Sequence, residues 1–119
     1  MKIRFTLLFR VLLVLLASIG AAQNEVTVER NVPAKKRDGV VLHADIYRPK
    51  TEGRFPVLLQ RTPYNKDGEV EFGLKAAARG YVTIIQDVRG RFSSDGEWYA
   101  FKHESDDGYD TVEWAADLP

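Results

Sequence analysis

Two nearly continuous apolar runs, Pro56 to Gln60 and Tyr81 to Asp87, constrain the fold of this chain most. A strand with one wet face alternates apolar and polar residues. Val57-Leu58-Leu59 and Val82-Thr83-Ile84-Ile85 do not, which is how strands covered on both faces read. Between the runs Val70, Leu74, Ala77 and Ala78 recur at helical spacing, and Gly80 stands where a helix usually ends. Strand, helix and strand at this spacing form a parallel crossover unit, so the fold class is α/β.

The stretch ahead of this unit has a different pattern. Val26, Val28 and Val32 share one parity, and Leu42, Ala44 and Ile46 alternate with Val41, His43, Asp45 and Tyr47. Lys36-Arg37-Asp38-Gly39 lies between them, and Asp-Gly tolerates the positive φ of a tight turn. Residues 25–48 therefore predict an antiparallel, half-exposed β-hairpin that Pro49 brings to a close. Beyond the second apolar run, Asp87 to Phe101 reads as a loop, in which Ser93 and Ser94 are turn residues. A second helix is predicted from about Asp107 to Ala116, with Ser105 or Asp106 as its N-cap and Tyr109, Val112 and Ala116 as its apolar face.

The first 22 residues stand apart from the fold. Lys2, Arg4 and Arg10 precede an aliphatic run from Val11 to Leu16, and small residues at Gly20 and Ala22 suit cleavage before Gln23. That is the pattern of a signal peptide over residues 1–22, and it predicts a secreted or periplasmic protein. The apolar run falls short of the roughly 20 residues a membrane span requires, so no stable span is expected after cleavage. Without the three basic residues of this segment, 14 Lys and Arg face 17 Asp and Glu, a net charge of about −3. A surface of that sign suits neither nucleic acid nor anionic lipid. With no cysteine, the chain relies on packing rather than disulfides.

Chemistry is sparse. No Gly-x-Ser-x-Gly, Gly-x-Gly-x-x-Gly or His-Glu-x-x-His is present, and the acids from Asp106 to Asp110 lack calcium-loop spacing. His43 and His103 read as surface or supporting residues. Arg61-Thr62-Pro63-Tyr64-Asn65-Lys66 follows a buried strand, at the end where open α/β sheets place ligands. A tyrosine hydroxyl there can donate to a developing oxyanion, although composition alone favours a packed loop aromatic. Asp87-Val88-Arg89-Gly90 also ends a buried strand and reads as a loop brace with a structural ion pair and a sharp turn.

The order of four segments carries a resemblance. Arg37-Asp38-Gly39-Val40 with Asp45-Ile46-Tyr47-Arg48-Pro49 comes first, then Pro56-Val57-Leu58-Leu59 with Arg61-Thr62-Pro63-Tyr64-Asn65-Lys66. Gly80-Tyr81-Val82 through Gln86-Asp87-Val88-Arg89-Gly90 to Ser94-Asp95-Gly96-Glu97 follows, and Asp106-Asp107-Gly108-Tyr109-Asp110 through Trp114 is last. In this order the chain resembles the X-Pro dipeptidyl-peptidase (S15) and cocaine-esterase-like CocE/NonD hydrolases. The resemblance implies the N-terminal portion of an α/β-hydrolase fold: a β-hairpin followed by parallel strands with a crossover helix, incomplete over residues 23–119 and ending before the nucleophile elbow. It implies hydrolysis of ester, amide or X-Pro peptide bonds through an acyl-enzyme, without metal or organic cofactor, on a small ester, amide or short peptide. Tyr64 would lend its hydroxyl to the oxyanion hole. No position here matches the triad serine, aspartate or histidine of that family.

Two outcomes are expected from an incomplete domain. Alone, residues 23–119 should be inactive and should fold poorly unless the remainder of the domain, in the same or a separate chain, complements them. The alternative reading is a non-catalytic secreted domain that uses the same strands for binding or packing.

Overall fold

The structure is a computed structural model that describes residues 23–119. The signal segment expected over residues 1–22 lies outside the described residues.

The first two strands, β1 (Val26–Lys35) and β2 (Val41–Pro49), form the expected antiparallel hairpin. Its turn is tight because Gly39 takes φ 88°, so its N–H can donate to the Lys36 carbonyl at 2.9 Å. A bulge interrupts β1 between Glu29 and Val32, and Asn31 within it takes φ 54°. Strand β3 (Val57–Thr62) leads through a short 3-10 turn (Lys66–Glu69) into α1 (Val70–Ala78), then β4 (Val82–Asp87) and finally α2 (Glu104–Ala116). The sheet order is β1-β2-β4-β3, with β3 parallel and β2 antiparallel to β4.

Strand alternation divides the core into two layers. On one face Ala44, Ile46 and Ile84 receive Trp114, Ala115 and Leu118 from α2 and the segment after it. On the other, Tyr47 and Ile85 pack with Ala77 of α1. Gly73 allows α1 to lie this close: a Cβ there would stand 2.5 Å from the Tyr47 ring.

Several faces differ from the sequence pattern. Strand β2 is not half-exposed: lying between β1 and β4, it is buried on both faces, and Asp45 and Tyr47 are fully buried on the parity that looked wet. Strand β3 is the edge of the described sheet, so Val57 and Leu58 stay exposed although their run reads as covered. Helix α1 turns Val70, Gly73, Ala76 and Ala77 inward and leaves Leu74 exposed. Helix α2 begins at Glu104, earlier than expected, with His103 at its N-cap. Tyr109 and Val112, its expected apolar face, point to solvent, while Asp107 and Thr111 are buried. The reason is a polar network that α2 completes, described next.

Candidate functional site

Strands β3 and β4 run parallel and finish in register, Thr62 opposite Asp87, so the loops that follow them emerge side by side. The first carries Tyr64. Its backbone N–H donates to Thr62 Oγ1 at 3.0 Å, and Asn65 turns the chain with φ 84°, rarely adopted outside glycine. Asn65 then accepts a bond from the Asp67 N–H through its own side chain at 3.0 Å.

Lys66 anchors this turn in the interior. Its N–H donates to Asp87 Oδ1 at 2.8 Å and its ammonium pairs with Asp45 Oδ1 at 3.0 Å, all three residues being buried. With both neighbours fixed, the Tyr64 side chain projects into solvent, 84% exposed.

Asp87 ties the second loop to the first. Its Oδ2 accepts from the N–H of Ser93 at 3.1 Å and from its hydroxyl at 2.6 Å. Ser94 Oγ donates to the Asp87 carbonyl at 2.6 Å and accepts from the His43 N–H at 2.9 Å, so both serines are the turn residues expected. Arg91 Nε reaches back to the Pro63 carbonyl at 3.1 Å.

The loop brace expected around Arg89 is present, with partners outside the strand-end motif, one earlier in the chain and one later. Arg89 pairs with Asp107 of α2 at 2.7 Å and Asp38 of the hairpin turn at 2.8 Å. Gly90 takes φ 71°, and a Cβ there would collide with the backbone of Glu97 and Trp98.

A second network runs beneath the loops. Arg61 donates to Gln86 Oε1 at 2.9 Å and pairs with Glu104 at 2.6 Å, while Thr111 Oγ1 lies 2.9 Å from the same Gln86 oxygen. Thr111 also accepts from the buried Lys36 ammonium at 2.6 Å. Burial, with the Arg61 charge second, pulls the Lys36 pKa down to about 8.

Together the two loops border an open cleft of about 430 Å³, lined by Arg61, Tyr64, Arg91, Trp98, Phe101 and Glu104 among others. Phe92 and Phe101 adopt φ 47° and 66°, positions where bulky side chains are strained. His43 sits in β2, and His103 occupies the N-cap position of α2 without a side-chain hydrogen bond to it. Among the described residues no group of three or more His, Asp or Glu could hold a metal ion. Asp87 braces the loops as the strand-end motif suggests, whereas the anchoring roles of Asp45 and Lys66 and the cleft-lining roles of Arg91, Trp98 and Phe101 were missed in the sequence. The run of aromatics after Gly90 was the available signal.

A mixed sheet in the order β1-β2-β4-β3, a helix on each face and a cleft at the C-terminal ends of its parallel strands define the first part of an α/β hydrolase fold. Similarity to known proteins narrows that class. The family model of X-Pro dipeptidyl-peptidase (S15 family) matches residues 38–119, and the chain belongs to this family. It is 39% identical over 94 residues to a cocaine esterase of Rhodococcus sp. (strain MB1 Bresler), covering 74% of this chain but 16% of the esterase. A CocE/NonD family hydrolase from Staphylococcus aureus superposes with a TM-score of 0.70 at 26% identity, over 80% of this chain and 21% of that one. An aminopeptidase from a marine sediment archaeon, Thaumarchaeota archaeon, superposes with a TM-score of 0.66 at 25% identity, over 81% of this chain and 20% of that one. The chain thus spans about a sixth to a fifth of the length of these relatives.

Proposed function

We propose that this chain forms the opening part of a serine hydrolase that cleaves ester, amide or short peptide bonds through an acyl-enzyme, with Tyr64 as a side-chain donor of the oxyanion hole. The observation that carries the reading is the placement of Tyr64. Its ring, 84% exposed, lines the cleft at the C-terminal ends of β3 and β4, on a loop tied by the Tyr64 N–H to Thr62 Oγ1 and by Lys66 to Asp45 and Asp87. A loop backbone held this way keeps the Tyr64 hydroxyl at the rim of the cleft, where it can donate to a substrate carbonyl oxygen as charge develops on it. No residue of this chain matches the attacking serine or its histidine and aspartate partners, so the chain alone is expected to be inactive. The signal-like segment supports a secreted or periplasmic protein, which N-terminal sequencing of the mature product would test by starting at Gln23.

The deciding experiment is Tyr64→Phe in the full open reading frame that contains this chain. Loss of one oxyanion donor should lower kcat by about 100- to 1000-fold, roughly 3 kcal/mol, while the protein stays folded. Unchanged turnover would remove Tyr64 from the mechanism.

A further inference from the structure

We propose that Arg91 makes the Tyr64 cleft selective for substrates carrying a carboxylate, an inference that rests on the hydrolase reading of that cleft. Four arginines are buried or partly buried among the described residues: Arg48, Arg61, Arg89 and Arg91. Arg48 pairs with Glu29, Arg61 with Glu104, and Arg89 with Asp38 and Asp107. Among the described residues, Arg91 has no carboxylate partner.

Its geometry is nevertheless fixed. Nε is held by the Pro63 carbonyl at 3.1 Å, and the guanidinium carbon lies 5.1 Å from the Phe92 ring centre and 5.3 Å from that of Trp98. The two terminal nitrogens make no hydrogen bond among the described residues, so an immobilised guanidinium faces the cleft with its forked pair of donors unused. Such a fork matches the two oxygens of a carboxylate, and its aromatic neighbours limit the entropy lost on binding.

The surroundings favour the same sign of charge. Arg61 and Arg91 line the cleft against one lining carboxylate, Glu104, which Arg61 already engages at 2.6 Å. Arg61 Nη2 is buried without an acceptor, so this end of the molecule is short of acceptors rather than donors. The strained backbone at Phe92, whose ring lies by the guanidinium, is consistent with a conformation kept for binding.

The test uses the full open reading frame and two matched ester pairs. Para-acetoxybenzoate against its methyl ester places the carboxylate on the leaving group. P-nitrophenyl hydrogen adipate against p-nitrophenyl hexanoate places it on the acyl group. The wild type should favour the carboxylate in at least one pair by about tenfold in kcat/KM. Arg91→Leu should lower that ratio by about tenfold, and Arg91→Lys should retain part of it, as expected when one charge-assisted contact is lost. Should the leucine variant not fold, Arg91→Gln carries the same comparison. A loop-holding role alone would lower both rates of a pair together, and an unmoved ratio would overturn the proposal. So would a wild type with no preference in either pair. The p-nitroanilides of adipate and hexanoate carry the same comparison if only amides are cleaved. Failure to hydrolyse the four esters, these anilides and an X-Pro-p-nitroanilide would overturn the hydrolase reading itself, so the two failures are distinct.

Discussion

At the scale of single residues, Asp87 holds the site together. Its carboxylate receives the Lys66 N–H on one oxygen and both donors of Ser93 on the other, and so joins the loop bearing Tyr64 to the loop bearing Arg91. Removing it strands several donors near the interior. Asp87→Ala should lower the unfolding free energy of the complete protein by about 3 kcal/mol or more, read from denaturant midpoints. Lys36 gives a prediction in pH. Its folded pKa of about 8 lies below the ordinary 10.5, so between these values the unfolded chain binds more protons. Stability should therefore rise from about pH 8 to 10.5 as the buried ammonium loses its charge. Lys36→Met should flatten that rise, and an unaltered pH–stability curve would show that Lys36 is not the titrating group. That Asp87 braces a loop was legible from its place at a strand end, but the distant partners were not. Asp45 lies on the polar parity of β2, yet it pairs with Lys66, 21 positions later by numbering, and no local spacing signals such a partner.

At the scale of elements, type and order were legible and orientation was not. The hairpin turn, the crossover unit and both helices follow from patterns within a few residues, so local reading suffices for them. Which face a helix buries depends on what it meets. Helix α2 exposes Tyr109 and Val112 because Asp107 and Thr111 must reach Arg89, Lys36 and Gln86 beneath it. Helix α1 likewise turns Gly73 inward instead of Leu74, since the Tyr47 ring occupies the space below. This makes Gly73 the sensitive position of α1. Gly73→Ala gains helix propensity but forces a methyl onto that ring, and overpacking of this kind costs about 1–3 kcal/mol. A lowered melting temperature is expected, and an increase would mean that α1 can lift off the sheet without penalty.

At the scale of the whole molecule, the uncovered parts of the described sheet stand out. Val57 and Leu58 of edge strand β3 are exposed, and beside β3 lies a second cleft of about 480 Å³ bordered by Phe55, Val57, Ala115 and Leu118. An open apolar edge is a template for pairing with other chains. Residues 23–119 expressed alone should associate and show no sharp thermal transition. A monomer in size-exclusion chromatography with cooperative melting would refute this.

The strand order has a consequence for synthesis on the ribosome. Strand β4 is the last of the four to be made, yet it lies between β2 and β3. Until residue 87 has emerged, the hairpin and β3 have no hydrogen-bonding route to each other, however long they wait. Nascent chains stopped at Arg79 should hold only the hairpin, and protection of β2 and β3 amides from exchange should rise together once β4 is added. If β3 amides are protected before β4 is present, the sheet closes in another order.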